Sequence, residues 1–459
     1  MAKITFIGAG SLGFSRRLMI DLLNCEALRD TEFALMDVDT VRLGYMDRIA
    51  SRIIAEMGAP AKHFVTTNRR KALDGADFVI TMVLIAGIDV FQHDIHIPLR
   101  YGVDQCIGDT LGVGGVFRSL RPIPVMVDIC RDIADLCPNA LLLNYTNPMA
   151  MLCWAMNEAV PTVRKVGLCH SVQGTAGQIA RWINVPFEEV KYWVAGINHQ
   201  AWFLQLTRNG RDLYPKLRKK LDDPETVKHE TTRFELLRHF GYFVTESSGH
   251  NSEYIPWIRK RPELIQRYCP GGGWNGGTAY ILELYGSNRK DYKKGLERMA
   301  SGKDAIHLNR SNEYGSYIID AAVTDRTFRF NGNVQNDGLI TNLPQSCCVE
   351  VPCYADRHGV NPAYVGDLPP QLAAINRSNV AVQELTVRAA LDGDRDAVYH
   401  ACAMDPLTGA VCSLDEVHSM CDELFEANRG WLPQFKARRG NWTKGRDRVQ
   451  YRKARRKRT

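Results

Sequence analysis

The sequence predicts an α/β fold, a doubly wound parallel sheet followed by a second, α+β domain, and three observations predict it. An apolar run from Lys3 to Ile7 is followed at once by Gly8-Ala-Gly10-Ser11-Leu-Gly13. A second run, Glu32 to Met36, ends in Asp37, and further apolar runs recur at 77–87 and 140–147 with helical stretches between. Beyond residue 195, helices and strands mix without that alternation.

In order along the chain, Lys3 to Ile7 reads as a buried strand, and the glycine run opens a helix expected to reach about Leu28. The first glycine suits a tight turn, the second admits a pyrophosphate to the backbone, and the third lets helix and strand pack closely. Gly8, Gly10, Ser11 and Gly13 are therefore expected to bind a dinucleotide. Asp37 lies where a carboxylate accepts from the adenosine ribose hydroxyls, which favours NAD over NADP. Asp77 to Gly87 is the next core strand; Gly108 to Gly115 is a glycine-rich loop leading to Arg118 and Arg121 on a helix. Arg118 suits an anion or sugar hydroxyls, although surface arginines on helices are common. The strand from Ala140 ends in Asn147-Pro148, which aims the Asn147 amide at cofactor or substrate.

A helix is expected over 174–183, a hairpin over 204–213 around Asn209-Gly210, an exposed charged loop over 216–232, and a helix over 234–243. The stretch Thr245 to Tyr254 reads as a polar pocket or a solvated loop; Pro270 to Gly277 reads as a loop or lid. Helices follow over 283–299, 372–392 and 415–428. The resulting division is a Rossmann-type NAD-binding domain over 1–195, an α+β domain for substrate, metal and oligomerisation over 196–435, and a basic tail over 436–459. It is an arrangement like that of lactate and malate dehydrogenases.

The chain's 459 residues are 45% apolar, with no apolar run of eighteen and an opening Met1-Ala2-Lys3-Ile4 that goes straight into a strand pattern. A cytoplasmic protein is expected, with no membrane span. Thirteen cysteines without a C-x-x-C pair fit free thiols. The net charge of +7 is misleading: the tail's twelve Lys or Arg against Asp447 give +11, which leaves −4 for residues 1–435. Such a tail suits RNA, an anionic surface or a solvated disordered end, and nucleic acid is not the expected partner.

Cys169, in Gly167-Leu-Cys-His-Ser171, and His199, in Gly196-Ile-Asn-His, each follow an apolar stretch, so both are expected at the ends of adjacent strands. A thiolate and an imidazole placed there suit one divalent transition metal with positions open to substrate, although a lone Cys on an apolar strand is more often packing.

These motifs resemble glycoside hydrolase family 4, and within it the α-galactosidases. The resemblance runs from Lys3 to about Pro433 and is carried by Gly8 to Ser11, Ile107 to Gly112, Asn147 to Met149, Gly167 to Thr175, Ala195 to His199, Gly241 to Ser248, Asn336 to Ile340 and Asn342 to Pro344. It implies an NAD-dependent route outside the two-carboxylate scheme: hydride leaves C3 of the sugar, C2 loses a proton, the glycosidic oxygen is expelled, and water addition and hydride return complete a hydrolysis. It implies Cys169 and His199 as ligands of Mn2+ or another divalent ion polarising the C3 carbonyl. Tyr242 falls at the base position and needs its pKa lowered. His170 is the neighbour expected to protonate the leaving oxygen, with His250 and Glu253 as rivals for either role. Asn147 and Arg118 are the substrate contacts. Val113 stands where relatives carry proline, the 271–277 loop is expanded, and the tail is an extension.

The expected activity is thus hydrolysis of α-galactosides such as melibiose by a homodimer or homotetramer, with α-glucosidase or α-glucuronidase as alternatives. From another class, an NAD-dependent 2-hydroxyacid dehydrogenase also explains the first half but has no use for Cys169.

Overall fold

The computed structural model describes residues 1–435, with backbone only for Leu12 and residues 287–293. The basic tail over 436–459 lies outside the described residues. Twelve strands form one sheet: β1 Lys3–Ile7, β2 Glu32–Met36, β3 Lys62–Thr66, β4 Phe78–Thr81, β5 Leu141–Asn144, β6 Arg164–Gly167, β7 Lys191–Ile197, β8 Gln200–Arg208, β9 Arg211–Asp212, β10 Phe328–Gln335, β11 Cys348–Asp356 and β12 Gly359–Pro362.

The first six strands pair in parallel in the order β3-β2-β1-β4-β5-β6. This is the doubly wound order, whose direction reverses beside β1, so the carboxyl ends of β1 and β4 bound the crevice where such sheets take ligands. β1 and β4 are apolar and buried almost throughout, as strands covered on both faces must be.

The second half of the sheet is antiparallel and runs β6-β10-β11-β7-β8-β9, with β12 on β11. β10 joins β6 through the single pair Asn333–Gly167, and β11 joins β7 through the single pair Glu350–Gly196. β6 and β7 are therefore not neighbours, which corrects the expected adjacency: two strands from much later in the chain lie between them. The largest apolar core runs through both halves, from Ile4 and Phe6 to Val349, Val380 and Leu424.

The hairpin around Asn209-Gly210 is present, with Thr207 opposite Asp212 and Arg208 opposite Arg211. Elsewhere local expectation and fold differ. The helix after the glycine run stops at Leu23, with a 3-10 turn over Glu26–Leu28. The apolar run from 77 keeps strand form only to Thr81, because Ala86 and Gly87 take positive φ and start the helix Gly87–Arg100. The charged stretch from 216 falls within short helices, Tyr214–Arg218 and Pro224–Val227, that bury Tyr214 and Leu217. No described helix is long and apolar enough to cross a membrane, and all thirteen cysteines are free thiols.

Candidate active site

Cys169 follows β6 and His199 sits in the tight turn between β7 and β8, at φ 63°. That left-handed backbone swings the imidazole back over the sheet, where Nε2 lies 3.2 Å from Cys169 Sγ. A third group meets them: Glu246 Oε2 is 3.5 Å from the same Nε2, and one ligand atom from each residue falls within 4.8 Å of the others. Glu246 is likewise left-handed, at φ 64°. Two of three clustered polar residues thus hold a conformation that costs free energy outside glycine, a pattern concentrated at functional sites.

Electrostatics fit the grouping. Burial alone would raise the Cys169 thiol, but the cationic imidazole of His199 overrides it and brings the thiol down to about 7. Burial alone would lower His199, yet the facing Cys169 and Glu246 charges push it up to about 10. Glu246, partly buried and facing the charges of His250 and His199, falls to about 2. A thiolate, an imidazole nitrogen and a carboxylate oxygen are a donor set suited to a divalent transition metal, so these residues fit such an ion.

A second layer surrounds the cluster. The His250 ring meets His199 edge-on with centroids 4.9 Å apart; its Nδ1 lies 2.8 Å from Ser247 Oγ and its Nε2 3.8 Å from Asp109 Oδ1. Tyr254 Oη reaches His199 Nδ1 at 3.3 Å, orienting the ring. Beneath, Glu350 on β11 is fully buried with neither carboxyl oxygen hydrogen-bonded; burial, then the nearby Cys169 charge, raises its pKa well above the usual carboxyl range.

The dinucleotide residues hold the expected form. Gly8 has φ 93°, and a Cβ there would stand 2.5 Å from Met82 O; at Gly10 it would stand 2.7 Å from Asp37 Oδ2. Gly10 N donates to that oxygen at 2.7 Å, and Asp39 N donates to Asp37 Oδ1 at 2.9 Å. Ser11 caps the helix Leu12–Leu23 without using its side chain, and Gly13 lies in the first turn. The crevice thus has a tight glycine turn in which a Cβ would strike Met82 or Asp37, a helix N-terminus and a fixed carboxylate, and it fits a dinucleotide.

Among the substrate residues, Arg118 is buried, lies 4.6 Å over the Phe91 ring and 3.7 Å from Asp109, and keeps Nε and Nη1 without hydrogen-bond partners. Asn147 Oδ1 is also buried and unbonded. Buried polar groups without a partner call for one, and sugar hydroxyls would supply it here.

Two expected roles do not match the geometry. Tyr242 is not brought to the cluster: Phe203 and Trp202 pair with Phe243 and Val244, which sets Tyr242 well along β8 from His199. Its ring packs edge-on against Tyr214, with centroids 6.0 Å apart, among apolar residues. His170 is next to Cys169 in sequence, but its Nε2 is bonded at 2.7 Å to Glu313, which Arg17 holds at 3.0 Å, and its ring lies near Phe14 and Tyr145. The rival Glu253 is an anchor, accepting from the N–H groups of Cys106, Ile107 and Gly108 at 2.6, 3.0 and 2.8 Å. Of the two readings of 245–254, a polar pocket or a solvated loop, the structure has the buried helix Ser248–Glu253 and its lead-in, with polar side chains facing the cluster. Glu246 was not singled out as a ligand in the sequence reading; the density of hydroxyls, imidazole and carboxylates around it was the available signal.

Over residues 3–185 the chain matches the family 4 glycosyl hydrolase model, and over 194–408 the C-terminal domain of that family. It belongs to glycosyl hydrolase family 4. This family 4 enzyme is 42% identical over 441 residues to an α-galactosidase of Bacillus subtilis (strain 168), covering 95% of this chain and 100% of that one. An α-galactosidase of Rhizobium meliloti (strain 1021) is also 42% identical, with 94% and 89% covered. A 6-phospho-α-glucosidase from gut microorganisms, solved in complex with NAD and Mn2+, shares the fold at a TM-score of 0.80 and 20% identity, over 95% of this chain and 100% of that one.

Proposed function

We propose that this family 4 enzyme is an α-galactosidase that uses NAD and a divalent metal, Mn2+ before others, to hydrolyse α-galactosides such as melibiose. The observation that carries the reading is the thiolate, imidazole and carboxylate gathered from residues 169, 199 and 246 in a chain with a dinucleotide crevice. The two α-galactosidases at 42% identity support the galactoside. When bound, NAD supplies a reversible hydride acceptor and the ion a Lewis acid.

In this reading Cys169, His199 and Glu246 hold the ion, and Gly8, Gly10, Ser11, Gly13 and Asp37 hold the dinucleotide. Arg118 Nε and Nη1 and Asn147 Oδ1 are left for sugar hydroxyls. His250 moves the proton in place of Tyr242: burial lowers its pKa, so at neutral pH it is an uncharged imidazole able to accept one. His170, held by Glu313, forms a wall near the glycine-run helix. The proposed division into cofactor and substrate parts has a counterpart in the change from parallel to antiparallel pairing, which falls between β6 and β7, so residue 195 itself lies within β7. We carry forward a homodimer or homotetramer, to be read by light scattering. The free thiols favour a cytoplasmic location.

The test is hydrolysis of 4-nitrophenyl α-galactoside in D2O with NAD and Mn2+. Deuterium at C2 of the released sugar, with activity lost on omitting NAD or on Cys169→Ser, is the expected result. Cleavage without exchange at C2 refutes the elimination route, and NADH accumulation without cleavage points to the dehydrogenase.

A further inference from the structure

Trp274 is a large apolar side chain left 46% exposed on a turn that is otherwise tied down. Its neighbour Asn275 is buried, donating Nδ2 to Lys228 O at 2.8 Å and accepting from Thr231 N at 3.3 Å. Cys106 Sγ donates to Gly273 O at 3.5 Å. The helix Ser248–Glu253 presses so closely on the turn that a Cβ at Gly249 would stand 2.7 Å from Trp274 O and 2.8 Å from Cys106 Sγ. The same helix carries His250, and Glu253 at its end clamps residues 106–108. The turn, the helix and the glycine-rich loop therefore move as one piece, and the indole is fixed relative to the site.

Its placement is specific. The indole stacks on His250, with centroids 6.0 Å apart and planes 12° from parallel, and Tyr280 meets it edge-on at 5.3 Å. His250 in turn lies 4.9 Å from His199. The exposed ring thus stands one aromatic layer beyond His250, the residue that borders the ligand cluster. Exposing so much of an indole forfeits burial that a side chain of this size normally obtains. Aromatic faces are what the C–H faces of a sugar ring pack against, with an offset-stacked or edge geometry.

We propose that Trp274 is the platform for the second ring of the substrate, the leaving-group sugar, and so sets the preference for disaccharides over simple glycosides. The proposal rests on the α-galactosidase reading, and it gives the glycine-rich turn at 270–277 a role: Gly272, Gly273 and Gly276, at φ 57°, 52° and 120°, bend the chain tightly enough to present one ring while the rest stays packed.

The experiment compares kcat/KM for an α-galactosyl-glucose disaccharide and for methyl α-galactoside, in wild type, Trp274→Ala and Trp274→Phe, with NAD and Mn2+ present. The ratio of the two is expected to fall about tenfold in the alanine variant, mostly through KM of the disaccharide, and to recover largely in the phenylalanine variant. Equal proportional losses on both substrates, or no change in the ratio, overturn the platform. Stopped-flow indole fluorescence separates the proposal from the reading beneath it. A disaccharide-induced signal present in wild type and absent in Trp274→Phe supports the platform even in a protein that cleaves neither substrate, a result that refutes the α-galactosidase. Cleavage of both substrates without that signal refutes the platform alone.

Discussion

A divalent ion binding to Cys169, His199 and Glu246 should expel protons, and the number should depend on pH in a way the geometry sets. With His199 pushed up to about 10 and Cys169 down to about 7, the metal-free cluster at pH 8 holds one proton, on the imidazole, because thiolate and carboxylate are already ionised. Below pH 7 the thiol is protonated as well, so two must leave. Affinity is therefore expected to rise about tenfold per pH unit between 7 and 9, and about a hundredfold per unit below 7. Displacing the His199 proton at pH 7 costs about 4 kcal/mol, three units at 1.36 kcal/mol each. The assay is calorimetric titration with Mn2+ in paired buffers of equal pH and different ionisation enthalpy, which counts protons directly. Cys169→Ser should weaken binding, remove the steeper slope below pH 7 and move the shallower one to lower pH, because His199 loses the thiolate that helps hold its proton. Fewer than about half a proton released at pH 8, or an affinity flat from 7 to 9, would refute the assignment of these residues as one cluster.

Three further outcomes are expected. Gly10→Ala places a Cβ 2.7 Å from Asp37 Oδ2 and must displace that carboxylate, so NAD affinity, measured by fluorescence titration, should fall at least about tenfold. Tyr242→Phe should leave kcat within about twofold, since the ring packs on Tyr214; a loss of about a thousandfold would restore it as the base. Burial raises the Asp405 carboxyl to about 6, so the folded state holds that proton more tightly than the unfolded one. Its contribution is complete at low pH and lost as pH rises through 6. Asp405→Asn keeps a side-chain acceptor for Thr408 N and has no titration, so between pH 5 and 8 its urea stability should gain about 1–1.5 kcal/mol relative to wild type; parallel pH curves would refute this.

The dinucleotide half was legible because its signals are local: strand, glycines, helix, strand and acid fall within the first 37 residues. The pairing of Cys169 with His199 was legible for a similar reason, each sitting just past an apolar run. What the sequence did not yield is what distant segments bring. Nothing near residues 167 or 196 announces that β10 and β11 will lie between their strands, because antiparallel pairing across more than a hundred residues leaves no periodicity at either end. Glu246 was hidden because a carboxylate in a pocket and a solvated one look alike in sequence, and polar residues left the stretch around Ser248–Glu253 open between pocket and loop although the fold buries all six. That Tyr242 packs on Tyr214 and away from the cluster was not legible, because a motif match carries position along the chain and says nothing of which way β8 aligns its partner. The helices Arg395–Met404 and Pro406–Val411 were passed over between longer, more regular neighbours.

The insertion of β10 and β11 between β6 and β7 also orders events during synthesis. When the ribosome has delivered residues 1–327, all three ligands have been made, but the strands that set the spacing of β6 and β7 have not. The last pairs, Asn333 with Gly167 and Glu350 with Gly196, wait for residue 350. The spacing of the two ligand-bearing strand ends is therefore a property of the nearly finished polypeptide, about three quarters of which must exist before both pairs can form.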